Sequence, residues 1–278
     1  MITSENTPNL PGWIDLGSPD PGASAAFYGR VFGWTAEQMM PESSEGPGYW
    51  FLRKDGKAVG GLGGITDPAA KPDWMTYVRV EDAAATLATA ESHGAKVRVP
   101  VTPITGEGAF AQLTDPSGAE FALWQSGAVT GFETCCTDDA MLWAELWTRD
   151  ASTAKTFYPA LFGWRIQPFL EGAPEGGGYD MWTTQPDDPQ GAFGGIMTIT
   201  DQMPIQDEKW IPYFMVADTD ATVARVTGSG GAVLIPPADA PPGRLAALTD
   251  QFGARFNILK PAPMADDRGG QGGQPTPK

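Results

Sequence analysis

The chain has 278 residues, 41% of them hydrophobic, enough for one large domain or two ordinary ones with real cores. Its 34 acidic and 18 basic residues leave a net charge of -16, which argues against a nucleic-acid backbone or an anionic membrane as partner. No apolar run approaches membrane-spanning length, no signal-peptide pattern opens the chain, and the two cysteines, Cys135 and Cys136, are adjacent rather than arranged as a disulfide framework, so a reducing cytoplasm is the expected location.

Residues 1–10 are polar and read as a flexible arm. Trp13 to Ser18 alternates like a strand. Asp20-Pro21 then pairs a cap acceptor with a proline suited to a helix's first turn. Ser24, Phe27, Tyr28, Val31 and Phe32 follow at helical spacing and predict one nearly apolar stripe, packed on a sheet and ended by Gly33 in a left-handed cap. Trp34–Met40, Tyr49–Arg53 and Ala58–Ile65 read as three further strands. The order recurs with strand Met75–Val80, helix Ala83–His93 stopped by Gly94, and strands Lys96–Val101, Ala109–Thr114 and Glu120–Gln125, the last two joined by the turn Asp115-Pro116-Ser117-Gly118. That is βαβββ, twice.

Beyond a linker at 127–139 the whole pattern returns. Trp143, Glu145, Leu146, Asp150 and Tyr179 match Trp13, Asp15, Leu16, Asp20 and Tyr49, all at one constant offset. Trp210, Tyr213, Val216 and Asp218 match Trp74, Tyr77, Val80 and Asp82 at a slightly larger offset, and Asp250, Gly253 and Phe256 match Asp115, Gly118 and Phe121 at one shorter by a single residue. The small changes in offset are insertions and deletions in loops. The second stripe is Ala154, Phe157, Tyr158, Leu161 and Phe162, capped by Asp150 and Gly163, with Pro159 an awkward guest expected to distort the helix. Gly231 reads as the stop of the fourth helix. The Gly-rich stretches 60–64 and 194–195 have no phosphate-loop pattern and read as strands needing close backbone approach. The expected fold is α+β, with tandem modules at 11–126 and 140–261. Each module holds two paired βαβββ units forming a curled mixed sheet, a cup with helices outside. The Gly-, Pro- and Gln-rich end, 262–278, is expected to be disordered.

The strand opening with Trp13, the Phe-Tyr…Phe-Gly-Trp segments at 27–34 and 157–164, the Val-x-Asp start of the second helix and the Asp-Pro-x-Gly turn resemble the vicinal oxygen chelate superfamily. Glyoxalase I, extradiol dioxygenases, and fosfomycin and bleomycin resistance proteins belong to it. The closing Leu259-Lys260-Pro261-Ala262-Pro263 resembles a two-module, glyoxalase-like subgroup of high-GC bacteria. The resemblance implies this cup fold, with a divalent ion held in the cups of metal-using members by His, Glu or Gln. In those members a first-strand ligand lies fourteen residues before the Phe of the Phe-Tyr pair, which here gives Trp13 and Trp143. The last-strand glutamate lies four residues after the turn glycine, which here gives Ala122 and Asn257. The middle positions fall near Gly61–Gly63 and Met75–Thr76, and near Gly194–Ile196 and Ile211–Pro212. None offers an imidazole or carboxylate, and the single histidine, His93, ends a helix, where it complements the dipole. No metal and no cofactor are therefore expected.

Alternation along the strands predicts what lines the cups instead. Cup one would hold Trp13, Asp15, Glu120 and Trp124; cup two would hold Trp143, Glu145, Arg255 and Asn257. Tyr49 and Tyr179, with Trp50, Tyr77, Trp182 and Tyr213, are further aromatic candidates. Each aromatic is either core or ligand wall, and Glu145 with Arg255 is either an ion pair or part of a site. An acid among tryptophans has its pKa raised by desolvation, which suits Asp15 or Glu145 to general acid–base work or to receiving a cationic or hydroxylated ligand. Two functions follow. One is a metal-free module binding a small aromatic or polycyclic molecule. The other is a metal-independent acid–base enzyme, an isomerase, lyase or cyclase, using Asp15 and Glu145. A metal-dependent glyoxalase or dioxygenase is the reading the residues favour least. The expected partner is a small molecule, and with modules paired inside one chain the protein is a monomer or a homodimer.

Overall fold

Asp20 opens the first helix as its composition dictates: its side chain accepts the Ala23 N–H at 2.9 Å, and Gly33 closes the helix at φ 73. In the computed structural model, which describes residues 1–43, 46–67, 69–169, 179–185, 191–203 and 205–263, the first module runs β1 (Pro11–Ser18), α1 (Pro21–Phe32), β2 (Thr35–Ser43), β3 (Gly46–Lys54), β4 (Lys57–Gly64), β5 (Asp73–Val80), α2 (Ala83–Ser92), β6 (Lys96–Ile104), β7 (Gly108–Thr114) and β8 (Glu120–Ser126). The second runs β9 (Met141–Thr148), α3 (Ala151–Phe162), β10 (Arg165–Pro168), β11 (Asp180–Thr183), β12 (Gly194–Thr198), β13 (Lys209–Met215), α4 (Thr219–Gly228), β14 (Ala232–Ala240), β15 (Gly243–Thr249) and β16 (Arg255–Pro261).

Among the described residues each module forms one eight-stranded mixed sheet, in the orders β2-β3-β4-β1-β5-β8-β7-β6 and β10-β11-β12-β9-β13-β16-β15-β14. The first strands of the two βαβββ units, β1 and β5, pair antiparallel at the centre of the first sheet, and β9 and β13 do so in the second. The fold is the expected α+β tandem, and the first sheet curls into a half-barrel. Among the described residues, no helix is long and apolar enough to cross a membrane.

The helices lie away from the cups, and there the modules meet. The apolar stripe of α1 was expected to pack on a sheet; it packs on two. Phe32 and Trp34 lie 5.1 and 5.3 Å from the Phe214 ring of the other module, while Tyr158 of α3 lies 5.6 Å from Phe121. The tyrosines add a reciprocal polar exchange. Tyr28 accepts the Trp74 indole N–H and donates to Asp250, and Tyr158 accepts the Trp210 indole N–H and donates to Asp115. Two carbonyls complete the symmetry: Asn9 accepts the Trp164 indole N–H, and Asp139, at the matching position of the repeat, accepts that of Trp34.

Two local expectations need correction. The segment 1–10 is pinned rather than loose: Ile2 and Leu10 are buried, and the Thr3 carbonyl accepts from the buried guanidinium of Arg79. The left-handed stop after α4 is Gly230, at φ 96, and not Gly231, whose Cβ would strike the Thr249 carbonyl. Helix α3 includes Pro159 and continues to Phe162, so the missing N–H does not end the helix. Of the tail expected to be disordered, 264–278 lies outside the described residues.

Candidate functional site

Strand alternation turns Trp13, Asp15 and Gly17 of β1 to one face and Ile14 and Leu16 into the core. Asp15 sits between Gly61 of β4 and Met75 of β5. Its Oδ1 accepts the Tyr49 hydroxyl at 2.6 Å and the Trp13 indole N–H at 2.7 Å. The Tyr77 hydroxyl also bonds this carboxyl, and the Gln112 amide in turn bonds Tyr77. The Tyr49 hydroxyl reaches Asp15 only because position 61 has no side chain: a Cβ on Gly61 would overlap both the hydroxyl and the carboxylate. The close backbone approach read from the glycine run thus has a specific cause.

Desolvation pushes the Asp15 carboxyl above its ordinary range, and the hydrogen bonds from Tyr49, Tyr77 and Trp13 pull part of the way back. Burial, with Asp15 close by, pushes Tyr49 and Tyr77 well above the ordinary tyrosine range, so both stay protonated and donate. Two cavities meet at this cluster. One, of about 310 Å³, is largely apolar and lined by Trp13, Phe51, Phe110, Trp124, Met39 and Met40 together with Asp15, Tyr49 and Tyr77. The other, of about 690 Å³, runs over Gly17 past Gly63, Arg98, Glu120 and the Asp73–Lys209 ion pair. Both volumes fall in the range of about 300–1,000 Å³ usual for small-molecule sites.

The second module builds the same cluster with different parts. Glu145, only 2% exposed, accepts the Trp147 indole N–H at 2.6 Å and the Tyr213 hydroxyl at 2.7 Å. Tyr179 bonds it as well and accepts the Trp143 indole N–H at 2.9 Å. Desolvation raises the Glu145 carboxyl, with Tyr179, Tyr213 and Trp147 opposing. Gly195 clears the way for Tyr179 as Gly61 does for Tyr49. The supporting amide has changed strands. In module one Gln112 of β7 supports Tyr77 and faces Ala122 of β8; in module two Asn257 of β16 supports Tyr213 and faces Ala247 of β15. The two swaps compensate across one cross-strand pair.

Most of the expected cup residues do converge. Trp13, Asp15, Tyr49 and Trp124 share cup one, and Trp143, Glu145, Tyr179 and Asn257 share cup two. Two differ. Glu120 is an exposed rim residue paired with Arg98 at 2.7 Å, because it begins its strand where the sheet meets solvent. Arg255 pairs with Asp207 and not with Glu145, whose bonds are already taken by Trp147 and Tyr213. Trp147 and Gln112 were missed. Trp147 was legible, lying two residues past Glu145 on the same face. Gln112 was not, because its role depends on cross-strand register.

The residues do not fit a divalent ion. Among the described residues there is no group of three His, Cys, Asp or Glu side chains able to hold one. The carboxylate at the floor of each cup, Asp15 or Glu145, already faces an indole N–H and two hydroxyl donors, and an indole N–H has no lone pair to offer a cation. His93 caps α2, its Nδ1 2.9 Å from the Thr89 carbonyl, far in sequence from either cluster.

The raised carboxyls predict a pH dependence. Above the ordinary glutamate value of 4.5 the unfolded chain has released its proton while folded Glu145 retains it. Stability therefore falls as pH rises from that value to the raised one, then levels off. Asp15 adds the same trend from 3.8 upward. Urea unfolding from pH 4 to 8 should show a steeper decline in wild type than in Glu145→Gln; parallel curves would mean that Glu145 ionises normally.

A model of the glyoxalase/bleomycin resistance protein/dioxygenase superfamily matches residues 11–123 and again 140–258. The anthracycline biosynthesis protein DauV of Streptomyces sp. (strain C5) is 35% identical over 267 residues, spanning 91% of this chain and 94% of that protein. CFP32 of Mycobacterium tuberculosis (strain CDC 1551 / Oshkosh), provisionally named a glyoxylase, is 33% identical over 265 residues, 94% of this chain and 98% of that protein. Among solved structures, the Mn(II)-bound glyoxalase from Novosphingobium aromaticivorans aligns with TM-score 0.60 at 14% identity, covering 97% of this chain and 95% of that one. At that identity the likeness concerns the fold alone.

Proposed function

The chain belongs to the glyoxalase/bleomycin resistance protein/dioxygenase superfamily, and from that premise we propose that its first cup binds a small planar aromatic metabolite without using a metal ion. The observation that carries this reading is the apolar cavity floored by Asp15, Tyr49 and Tyr77. Indole, phenyl and methionine walls supply stacking and adaptable contact, while one carboxylate among hydroxyl donors fixes the orientation of a hydroxylated ring. The names of DauV and of its counterpart DnrV from Streptomyces peucetius, 34% identical over 271 residues, attach this two-module architecture to anthracycline biosynthesis and make hydroxylated polycyclic quinones the first class to try. Titration with a panel of hydroxyanthraquinones should quench tryptophan fluorescence saturably, and Asp15→Asn should weaken binding by about tenfold, the worth of one charge-assisted hydrogen bond. Absence of saturable quenching across the panel would sink the proposal.

A second reading is favoured by the desolvated carboxyl of Asp15, which borders both cavities and holds its proton more tightly than an ordinary aspartate. Such a group, with its pKa moved toward neutrality, suits proton transfer to or from a bound ring. In that case Asp15→Asn abolishes turnover while affinity stays within a few-fold of wild type. Parallel loss of both returns the case to binding alone.

A further inference from the structure

The two cups differ most at one pair of positions. Gly17 of β1 corresponds to Trp147 of β9, its equivalent in the repeat and in the same register: Gly17 pairs with Gly63 and Asp73, Trp147 with Met197 and Lys209. Trp147 is 2% exposed and forms, with Ile199, Ile205, Ile211 and Ala247, an apolar cluster separate from the main core. The counterparts of Ile211 and Ala247 in module one are Met75 and Gln112. Those two residues, with Gly17 and the 69–71 loop, border the cavity of about 690 Å³. The space filled by the Trp147 cluster in cup two is open in cup one. Glycine at 17 is not demanded by the backbone, since its φ is not left-handed and a Cβ there would meet only Ile65 Cγ1 at 3.4 Å and more distant atoms. What Gly17 contributes is room.

We infer that Trp147 is a built-in occupant of cup two and marks the pose of the ligand in cup one: a planar aromatic lying over Gly17, with one N–H or phenolic O–H donor directed at the Asp15 carboxylate. The chemistry follows from the copy that is filled. The Trp147 indole N–H, a donor only, ends on Glu145 Oε2 at 2.6 Å, and both carboxyls face two tyrosines; Asp15 Oδ1 already accepts the Trp13 indole N–H, whose counterpart Trp143 turns to Tyr179 in cup two, so a ligand's donor falls to Asp15 Oδ2. A ligand offering an acceptor in place of that donor would face the carboxylate with like partial charge. Ligand selection in cup one thus turns on donor-bearing aromatics, and cup two is closed to them by its own side chain. The inference rests on the cup-one reading above and adds to it the ligand class and the position of its donor.

Equilibrium dialysis with indole tests both cups at once, using the full chain. Wild type should hold one indole. Trp147→Gly should hold two, since deleting the resident indole leaves its own complement, and Gly17→Trp should hold none while melting no lower than wild type. N-Methylindole, which lacks the donor, should bind at least about tenfold more weakly. A folded Trp147→Gly protein that gains no site, or a Gly17→Trp protein that binds as well as wild type, overturns the inference. If Trp147→Gly fails to fold, the Gly17→Trp and N-methylindole arms still decide it. No indole on wild type but one on Trp147→Gly would uphold Trp147 as an occupant and overturn the cup-one reading instead.

Discussion

Gly61→Ala is expected to cost about 3 kcal/mol of stability, measured by urea unfolding, and to weaken aromatic ligand binding in cup one by at least about tenfold. The added methyl has nowhere to go: it overlaps both the Tyr49 hydroxyl and Asp15 Oδ1, the two ends of a 2.6 Å hydrogen bond. Overpacking a buried strand costs about 1–3 kcal/mol by itself, and the bond to a carboxylate adds to that when it breaks. Gly63→Ala is the control. It lies two residues along the same strand, where its Cβ would meet only the Tyr49 ring at 3.7 Å, an ordinary contact, so it should shift stability by less than about 1 kcal/mol. Gly195→Ala should repeat the Gly61 effect on stability, through Tyr179 in cup two, without touching binding in cup one. Equal costs for Gly61→Ala and Gly63→Ala would mean that the glycines serve the strand and not the tyrosine.

Asp115→Ala should be about as damaging, for a reason outside either cup. Asp115 Oδ1 accepts the backbone N–H groups of Ser117, Gly118 and Ala119 and the Ser117 hydroxyl, all between 2.8 and 2.9 Å. Its Oδ2 accepts the Tyr158 hydroxyl of the second module at 2.8 Å. Alanine there leaves a buried turn without its acceptor and cuts the link between modules, an expected loss of about 4 kcal/mol. Tyr158→Phe isolates the inter-module part. It removes the donor to Asp115 and the acceptor of the Trp210 indole, and should cost about 1–2 kcal/mol. In the double variant the two losses should fall short of their sum by at least about 0.5 kcal/mol, since both remove the same bond. Strict additivity would show that the turn alone accounts for the cost of Asp115→Ala. The corresponding bond from Tyr28 to Asp250 is longer, 3.3 Å, and Tyr28→Phe should cost less than Tyr158→Phe.

The sequence by itself determined the architecture. Caps, apolar stripes and turn residues are local signals. Because they recur at nearly constant offsets along the chain, each of the four βαβββ units checks the others. Asp15 and Glu145 were legible for the same reason: a carboxylate two residues after a tryptophan on a strand must share its face. Tertiary structure alone decided the rest, where contacts join residues distant along the chain. The Phe-Tyr segments read as sheet-packing stripes, yet the tyrosines cross to the other module's turn aspartates, a pairing that no local periodicity encodes. The Gln112/Asn257 exchange, the Asp207 partner of Arg255 and the clearance at Gly61 each depend on which residues stand opposite across strands, and register is set by the assembled sheet. Gly17 and Trp147 stand at matching positions of the repeat; only the folded cups show that one leaves a space and the other fills it, because a cavity belongs to no single stretch of chain.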